Sequence, residues 1–494
     1  MSQIRQTTAT VSSFMETQVS GWIRENDIVD LLDRSLTLHD VFECVAKLQS
    51  PDELDVIVKF LENAVRYEKI ASRVMDSSHR RYLLEALKSP SERLRGVVLD
   101  AISNSSSSIP IDVEIVTRLL CDEDTGISQR VIRLIVSRSS QNPNLTSSLI
   151  HHYQTNNLSE VEKFRFIETF INLGRLSRDQ FSQIQSCGAF DPIITSFLSN
   201  DSDILVKLGS LTLIEAMASY DAGREYLGTS GILLELEKEI SGPLADSTTV
   251  MSLMYTISSI IPFVAVSQPA QVNFILLSPS SKFHIVLNEF IISVNNAERM
   301  CAFKVLGALA GGASTSQPVE SFLGKNWKLF KQLQYAVLDV DVEVVNTALD
   351  ALHSIIKLWE RNPYMESDSA QGSLIETVIE TFRRHPFPES RCLVYALLGA
   401  MLSVEELGIP AIAKLLSDPS SIRMALLDHQ SESNYESRRA KCDFVRVLVK
   451  MEEKNLLRRF FTKEQVENFI DFAEKGLEWV PVTESKSELE TEAV

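Results

Sequence analysis

Helix-breaking residues are scarce in this chain: 18 glycines and 16 prolines among 494 residues. No stretch of strict apolar–polar alternation is long enough to argue a sheet, so the composition points to a helical protein. A basic surplus is missing too. Lys and Arg number 48 against 66 Asp and Glu, for a formal net charge of −18 and a pI near 5.0. Wrapping nucleic acid needs the opposite balance, because cationic side chains must displace counterions from phosphates. The same field favours a partner with a basic face. The six cysteines (Cys44, Cys121, Cys187, Cys301, Cys392 and Cys442) stand singly, with no Cys-x-x-Cys pair. That pattern is neither a disulfide framework nor a zinc site, and it fits a reducing compartment. The first residues, MSQIRQTTATVSSFMETQVSGW, contain no apolar core of a secretory leader, so the expected location is cytosolic, with the nucleus also open.

Long apolar runs are nearly absent. Between Asp246 and Lys282 no residue is charged, and VMSLMYTISSIIPFVAV (250–266) is the one membrane-like segment. It holds Ser252, Thr256, Ser258, Ser259 and Pro262 within 17 residues, where a span wants about 20 apolar ones. The expectation is a helix buried at the centre of a long fold, with no membrane partner.

Catalytic motifs are missing as well. There is no H-E-x-x-H, no G-x-S-x-G and no Walker A sequence. His151 and His152 are adjacent, hence on different helix faces, and read as a solvated pair. In SYDAGREYLGTSGILLELEKEI (219–240), Gly223, Gly228 and Gly231 lack phosphate-loop spacing and the Lys that would reach a phosphate. They read as a helix end and a new start. Gly307, Gly311 and Gly312 read as a C-cap after an apolar helix, Met300–Leu309. Three basic knots, Arg383-Arg384-His385, Arg438-Arg439-Ala440-Lys441 and Arg458-Arg459, leave open a phosphate-binding or localising role beside capping and surface roles. The chain therefore reads as a binding protein and not an enzyme, with no metal, cofactor or small-molecule substrate.

What is present is a repeat. LLEALKSPSERLRGVVLDAI (83–102), VTRLLCDEDTGISQRVIRLIV (116–136), ITSFLSNDSDILVKLGSLTLI (194–214) and YAVLDVDVEVVNTALDALHSII (335–356) superpose without gaps. In each, an apolar anchor ends one helix and a second, seven residues on, opens the next: Leu87/Leu94, Leu120/Ile127, Leu198/Leu205 and Leu338/Val345. The second helix continues at helical period, through Val97, Val98, Ala101 and Ile102, through Leu208, Gly209, Thr212 and Leu213, and through Ala348, Leu349 and Leu352. Asp and Ser in the turns (Ser89, Asp122, Asp124, Asp201, Asp203, Asp339, Asp341) are placed to cap it. Anchors 120 and 198 lie two periods of 39 apart, in the range of HEAT or armadillo repeats. Gly188 and Gly231 punctuate matching helix-Gly-helix steps.

Two-helix units cannot bury an apolar stripe alone, so they stack. The expected fold is all-α, a curved HEAT/armadillo-like solenoid of about ten or eleven repeats over 1–480, followed by an acidic disordered tail at 481–494. Longer loops are expected at 103–108, 310–318 and 360–372. Partner-binding candidates are solvent-side positions of second helices: Lys207, Ser210 and Leu211 on one, Asn346, Asp350 and His353 on another.

Particular segments resemble a known family, the proteasome non-ATPase regulatory subunit five family of regulatory-particle assembly chaperones. They are 186–240, including Gly223-Arg224-Glu225-Tyr226-Leu227; 383–401, where Pro386-Phe387-Pro388-Glu389 opens a repeat; 424–449; and the ending GLEWVPVTES. Matching stretches cover about half the chain, outside its first hundred residues. The resemblance implies a curved helical-repeat protein without enzymatic activity. It implies binding to the C-terminal region of one AAA ATPase of the 26S proteasome base, escort of a base subcomplex, and departure before the proteasome is complete. A different class of solenoid, an importin-like receptor or phosphatase scaffold, would suit the repeats equally. An importin-like groove, however, carries a ladder of Trp and Asn, and the four Trp here (Trp22, Trp327, Trp359, Trp479) are not at repeat spacing. An enzyme with a helical-repeat regulatory region lacks any nucleotide or metal motif to support it.

Overall fold

The computed structural model describes residues 2–478 apart from 18–22, 49, 106–112, 141, 143, 199–202, 243–245, 312–316, 326, 362–370, 405–412, 414–421, 429–430, 433 and 453–456. Among the described residues every regular element is helical, and the chain is an all-α, HEAT/armadillo-like helical repeat. The acidic tail and most of the expected loops at 103–108, 310–318 and 360–372 lie outside the described residues. The chain divides into two compact units, Met1–Pro192 and Ile193–Val494.

In the first unit three successive long helices are α1 (Glu92–Asn104), α2 (Thr125–Arg138) and α3 (Glu160–Leu176). They begin 33 and 35 residues apart, with one shorter helix between neighbours. Each starts where a side chain satisfies a free backbone N–H: Ser91 accepts from Leu94, Asp124 from Ile127, and Ser159 closes a capping box with Glu162. The anchors Leu87, Leu94, Leu120 and Ile127 are all buried, as is the Val97, Val98, Ala101, Ile102 stripe. Each Leu, Ile or Val among them contributes about 1.5–3 kcal/mol by leaving water. Between steps, Arg95 reaches Asp122 at 2.8 Å with both side chains largely covered.

In the second unit the long helices are α4 (Ile204–Ala218), α5 (Ser247–Val264), α6 (Asn296–Gly311), α7 (Val342–Arg361), α8 (Pro388–Ser403) and α9 (Tyr435–Glu452). From α5 onward each packs on the next, and their starts fall 46 to 49 residues apart. The expected 39-residue period is thus two step sizes. The longer step holds two short helices ahead of α6 (Pro269–Leu277, Lys282–Phe290) and two ahead of α7 (Gln317–Lys325, Trp327–Ala336). The spacing from 120 to 198 averaged over both kinds. Phe387 and Pro388 open α8 as N-cap and first helical residue, a position where the missing proline N–H costs nothing.

Helix α5 is long and apolar enough to cross a membrane by composition, yet 61% of it is buried in the fold. Its Leu253, Met254, Ile257, Ile260, Ile261 and Val264 are essentially inaccessible. It packs against α4, α6, Asp221–Thr229 and Ile232–Glu239. The approach of Asp221–Thr229 is so close that a methyl group on Gly228 would fall 1.7 Å from Cγ1 of Val264. Gly188 and Gly231 have φ of +72° and +80°, the left-handed turn expected of punctuation. Gly307, expected in a C-cap, is instead inside α6, where it lets Ala351 of α7 come close. Gly311 ends α6, and Gly312 lies outside the described residues.

Polar bonds align the first turns of α5 to α8 at one edge. Ser247 donates to Glu298 (3.4 Å), the Asn296 amide to Asp341 (2.7 Å), Arg299 to Asp339 (2.9 Å) and Ser390 to Asn346 (2.7 Å). Burial works against ionising Asp339, but the Asp341 N–H and Arg299 outweigh it and hold this carboxyl below its ordinary value.

On α4 the expected register fails. Leu205, expected as a core anchor, is 76% exposed, and Thr212 is exposed as well. The expected solvent-side residues Lys207, Ser210 and Leu211 are buried. Lys207 is drawn inward by Glu239, 3.0 Å away, and the Ser210 hydroxyl lies 2.5 Å from that of Ser196. The sequence ILVKLGSLTLIEAMA is apolar nearly all round, so its own periodicity does not choose an inner face. The partner anchor Leu198 has no described side chain.

Candidate functional site

Because α5, α6 and α7 are held in line, their outward faces form a continuous surface. An open groove of about 750 Å³ runs across it. Its floor is made of small residues, Gly307 and Ala308 on α6 and Ala351 and Ser354 on α7, and these let an incoming chain approach close to helix backbones. Met251, Tyr255 and Met300 supply the apolar walls. Tyr255 is half exposed, giving a ring to pack on and a hydroxyl to bond with. Lys304 and Asp350 stand exposed on its flanks and form no ion pair among the described residues.

Burial pushes the Cys301 thiol up to about 12, which leaves it uncharged and inert. Burial likewise raises the neighbouring Glu215 carboxyl, to which Ser252 donates a hydrogen bond. Among the described residues no group of three His, Cys, Asp or Glu is arranged to hold a metal ion. What the groove can do is bind a polypeptide, through shape, apolar walls and one charge of each sign.

Of the six candidates read from the sequence, only Asp350 is an exposed residue of this groove. Asn346 is engaged by Ser390 and joins α7 to α8. His353 is partly buried, and that burial, reinforced by Lys357 and opposed by Asp350, lowers its pKa. Lys207, Ser210 and Leu211 lie in the core of α4, as described above. The sequence reading missed Tyr255, Lys304 and Ser354. Tyr255 did carry a signal, as one of three aromatics in an uncharged segment with Phe263 and Phe274, but facing could be assigned only with the neighbours in place.

A smaller cleft of about 420 Å³ in the first unit is lined by Glu62, Arg66, Arg93, Asp100 and Arg130 among others. Its charges largely serve the fold: Arg93 bridges Glu62 and Asp55, and Arg130 meets Asp100. In the first basic knot Arg383 and Arg384 both pair with Glu380 and His385 is buried; in the second, Lys441 is buried.

The chain matches the family model described as "Proteasome non-ATPase 26S subunit" over residues 9–470. Similar curated proteins include the "26S proteasome non-ATPase regulatory subunit 5" of Bos taurus, 20% identical over 314 residues, and that of Homo sapiens, 20% identical over 318. Each alignment takes in 62% of this chain and 59% of the relative, so the chain spans about three-fifths of the length of the relatives it matches. Similar solved structures include an engineered protein (14% identity, TM-score 0.42, 82% of this chain and 98% of that one). Another is Kap121p bound to Pho4p (13% identity, TM-score 0.36, 98% of this chain and 49% of that one).

Proposed function

The chain belongs to the proteasome non-ATPase 26S subunit family, and from that premise we propose that it is an assembly chaperone of the regulatory particle. Its role is a proteasome-related one. On this reading it holds the C-terminal region of one AAA ATPase of the base, escorts that subcomplex in the cytoplasm, and to some extent the nucleus, and leaves before the proteasome is complete. It works by binding and not by catalysis.

The observation that carries the proposal is the groove across α5, α6 and α7. A transient escort needs a broad face of individually weak contacts, so that a later partner can displace it. Small floor residues, two thioethers, a tyrosine and two unpaired opposite charges provide such a face. Methionine adapts to irregular partners, and Lys304 and Asp350 can fix register without locking the complex. The overall charge of −18 would speed encounter with a basic ATPase domain.

The test is affinity capture from lysate with tagged full-length protein, read by mass spectrometry. Recovery of base ATPases without core-particle subunits is the expected result. Recovery of intact proteasomes, or of transport cargo or phosphatase subunits in place of ATPases, would overturn it.

A further inference from the structure

We propose that the turns entering α6, α7 and α8 form a second docking surface, which takes a basic amphipathic helix of a partner protein presenting an apolar residue at every seventh position. Val294 is fully exposed, Val340 is 94% exposed and Phe387 is 49% exposed. A single exposed apolar residue needs no explanation. These three, however, occupy the same place in three consecutive steps: two residues before α6, two before α7 and one before α8. The Asn296–Asp341 and Ser390–Asn346 bonds bring those turns side by side, so the three side chains form a row. Ile292, 67% exposed, widens one end of it.

The turns are built to hold these side chains outward. Val294 sits between Ser293, which accepts from the Asn295 N–H and donates to Glu298, and Asn295, which accepts from the Ala297 N–H. Val340 sits between Asp339, which accepts from the Asp341 N–H, and Asp341, which accepts from the Glu343 N–H. Phe387 sits between Pro386 and Pro388. Such turns have little freedom left to lose on binding, which favours a docking role.

Charge and spacing name the occupant. Glu298, Asp339, Asp341, Glu343 and Glu389 stand within four residues of the row in sequence. Of the nearby cations, Arg299 is held by Asp339, Arg383 and Arg384 both pair with Glu380, and Arg391 lies over the Phe382 ring, 3.4 Å from its centroid. The edge is therefore acidic and selects a basic partner. Packed helices lie about 8–10 Å apart, and seven residues of an α-helix rise about 10.5 Å. A helix laid along the edge thus meets one apolar side chain per step when its own recur every seventh residue. This inference does not rest on the assembly reading and stands or falls separately from it.

A fluorescent synthetic Lys/Ala helix with leucines at every seventh position is titrated with the full-length protein and followed by anisotropy. A control peptide of the same composition carries its leucines at every fifth position. We expect the first peptide to bind at least about tenfold more tightly. Val294→Ser with Val340→Ser should erase that preference, with the melting transition in place because both side chains are in solvent. Equal affinity for the two peptides overturns the proposal. So does a preference that survives in the double variant, or a tighter grip on a Glu/Ala helix of the same leucine spacing.

Discussion

Lys441 offers the sharpest test of how the second unit is packed. Its ammonium, 2% exposed, donates to the carbonyls of Ala425 and Asp428, both at 2.6 Å, and to the Ser431 hydroxyl at 3.0 Å. Burial, only partly offset by the Glu432 and Asp428 carboxylates, drops its pKa from 10.5 to about 8. At 1.36 kcal/mol per pH unit, that difference is about 3 kcal/mol carried by the folded protein while the group is charged. The folded pKa lies below the unfolded one, so between pH 8 and 10.5 the unfolded chain binds more protons and stability rises with pH. Below pH 8 both states are charged and the whole cost is present. Lys441→Met abolishes the titration. It also leaves two carbonyls without their donor, at about 1–3 kcal/mol each, so the absolute stability of the variant at neutral pH is not diagnostic. The pH dependence is. Urea unfolding of both proteins from pH 7 to 10.5 should show wild type gaining about 3 kcal/mol on the variant. A difference constant across that range would mean that Lys441 titrates as it does in the unfolded chain, and would refute the reasoning.

Leu205→Asp should leave the melt unchanged, whereas Leu211→Asp, which buries an unpaired charge, should cost several kcal/mol; the reverse ranking in thermal unfolding would return α4 to the register read from sequence. Asp350→Lys should weaken capture of base ATPases without moving the melting temperature, and full capture by a folded variant would remove Asp350 from the partner surface. Gly228→Ala, forced against Val264, should destabilise by about 1–3 kcal/mol, with partial recovery on adding Val264→Ala. Without that recovery, the close contact is not the source of the cost.

Much of the repeat was legible because its signals are local. The anchor pairs Leu87/Leu94 and Leu120/Ile127, the caps at Ser91 and Asp124, and the glycines at 188 and 231 each act over a few residues of chain. The family resemblance at 186–240 and 383–401 was equally a matter of contiguous residues. The candidate site was far less legible, because facing is decided by contacts distant in sequence. Lys207 looks like a solvent residue until Glu239, 32 positions on, arrives to pair with it. Asn346 looks free until Ser390 claims it. The outward facing of Asp350 was legible because α7 has a wide apolar stripe from Val344 to Trp359, which fixes its opposite face.

The bonds joining the first turns of α5 to α8 have a mechanical consequence. Hydrogen bonds fix a direction as well as a distance, whereas apolar contacts hold through shape and close packing alone. A stack stitched by polar contacts along one margin therefore has a spine at the N-terminal ends of its helices, whose register is set more strictly than that of the opposite margin. The apolar row stands on the spine and takes its spacing from those bonds, while the groove extends further along the helices, where packing sets its shape. One margin thus measures length along the stack, and the other sets the fit of whatever lies against it.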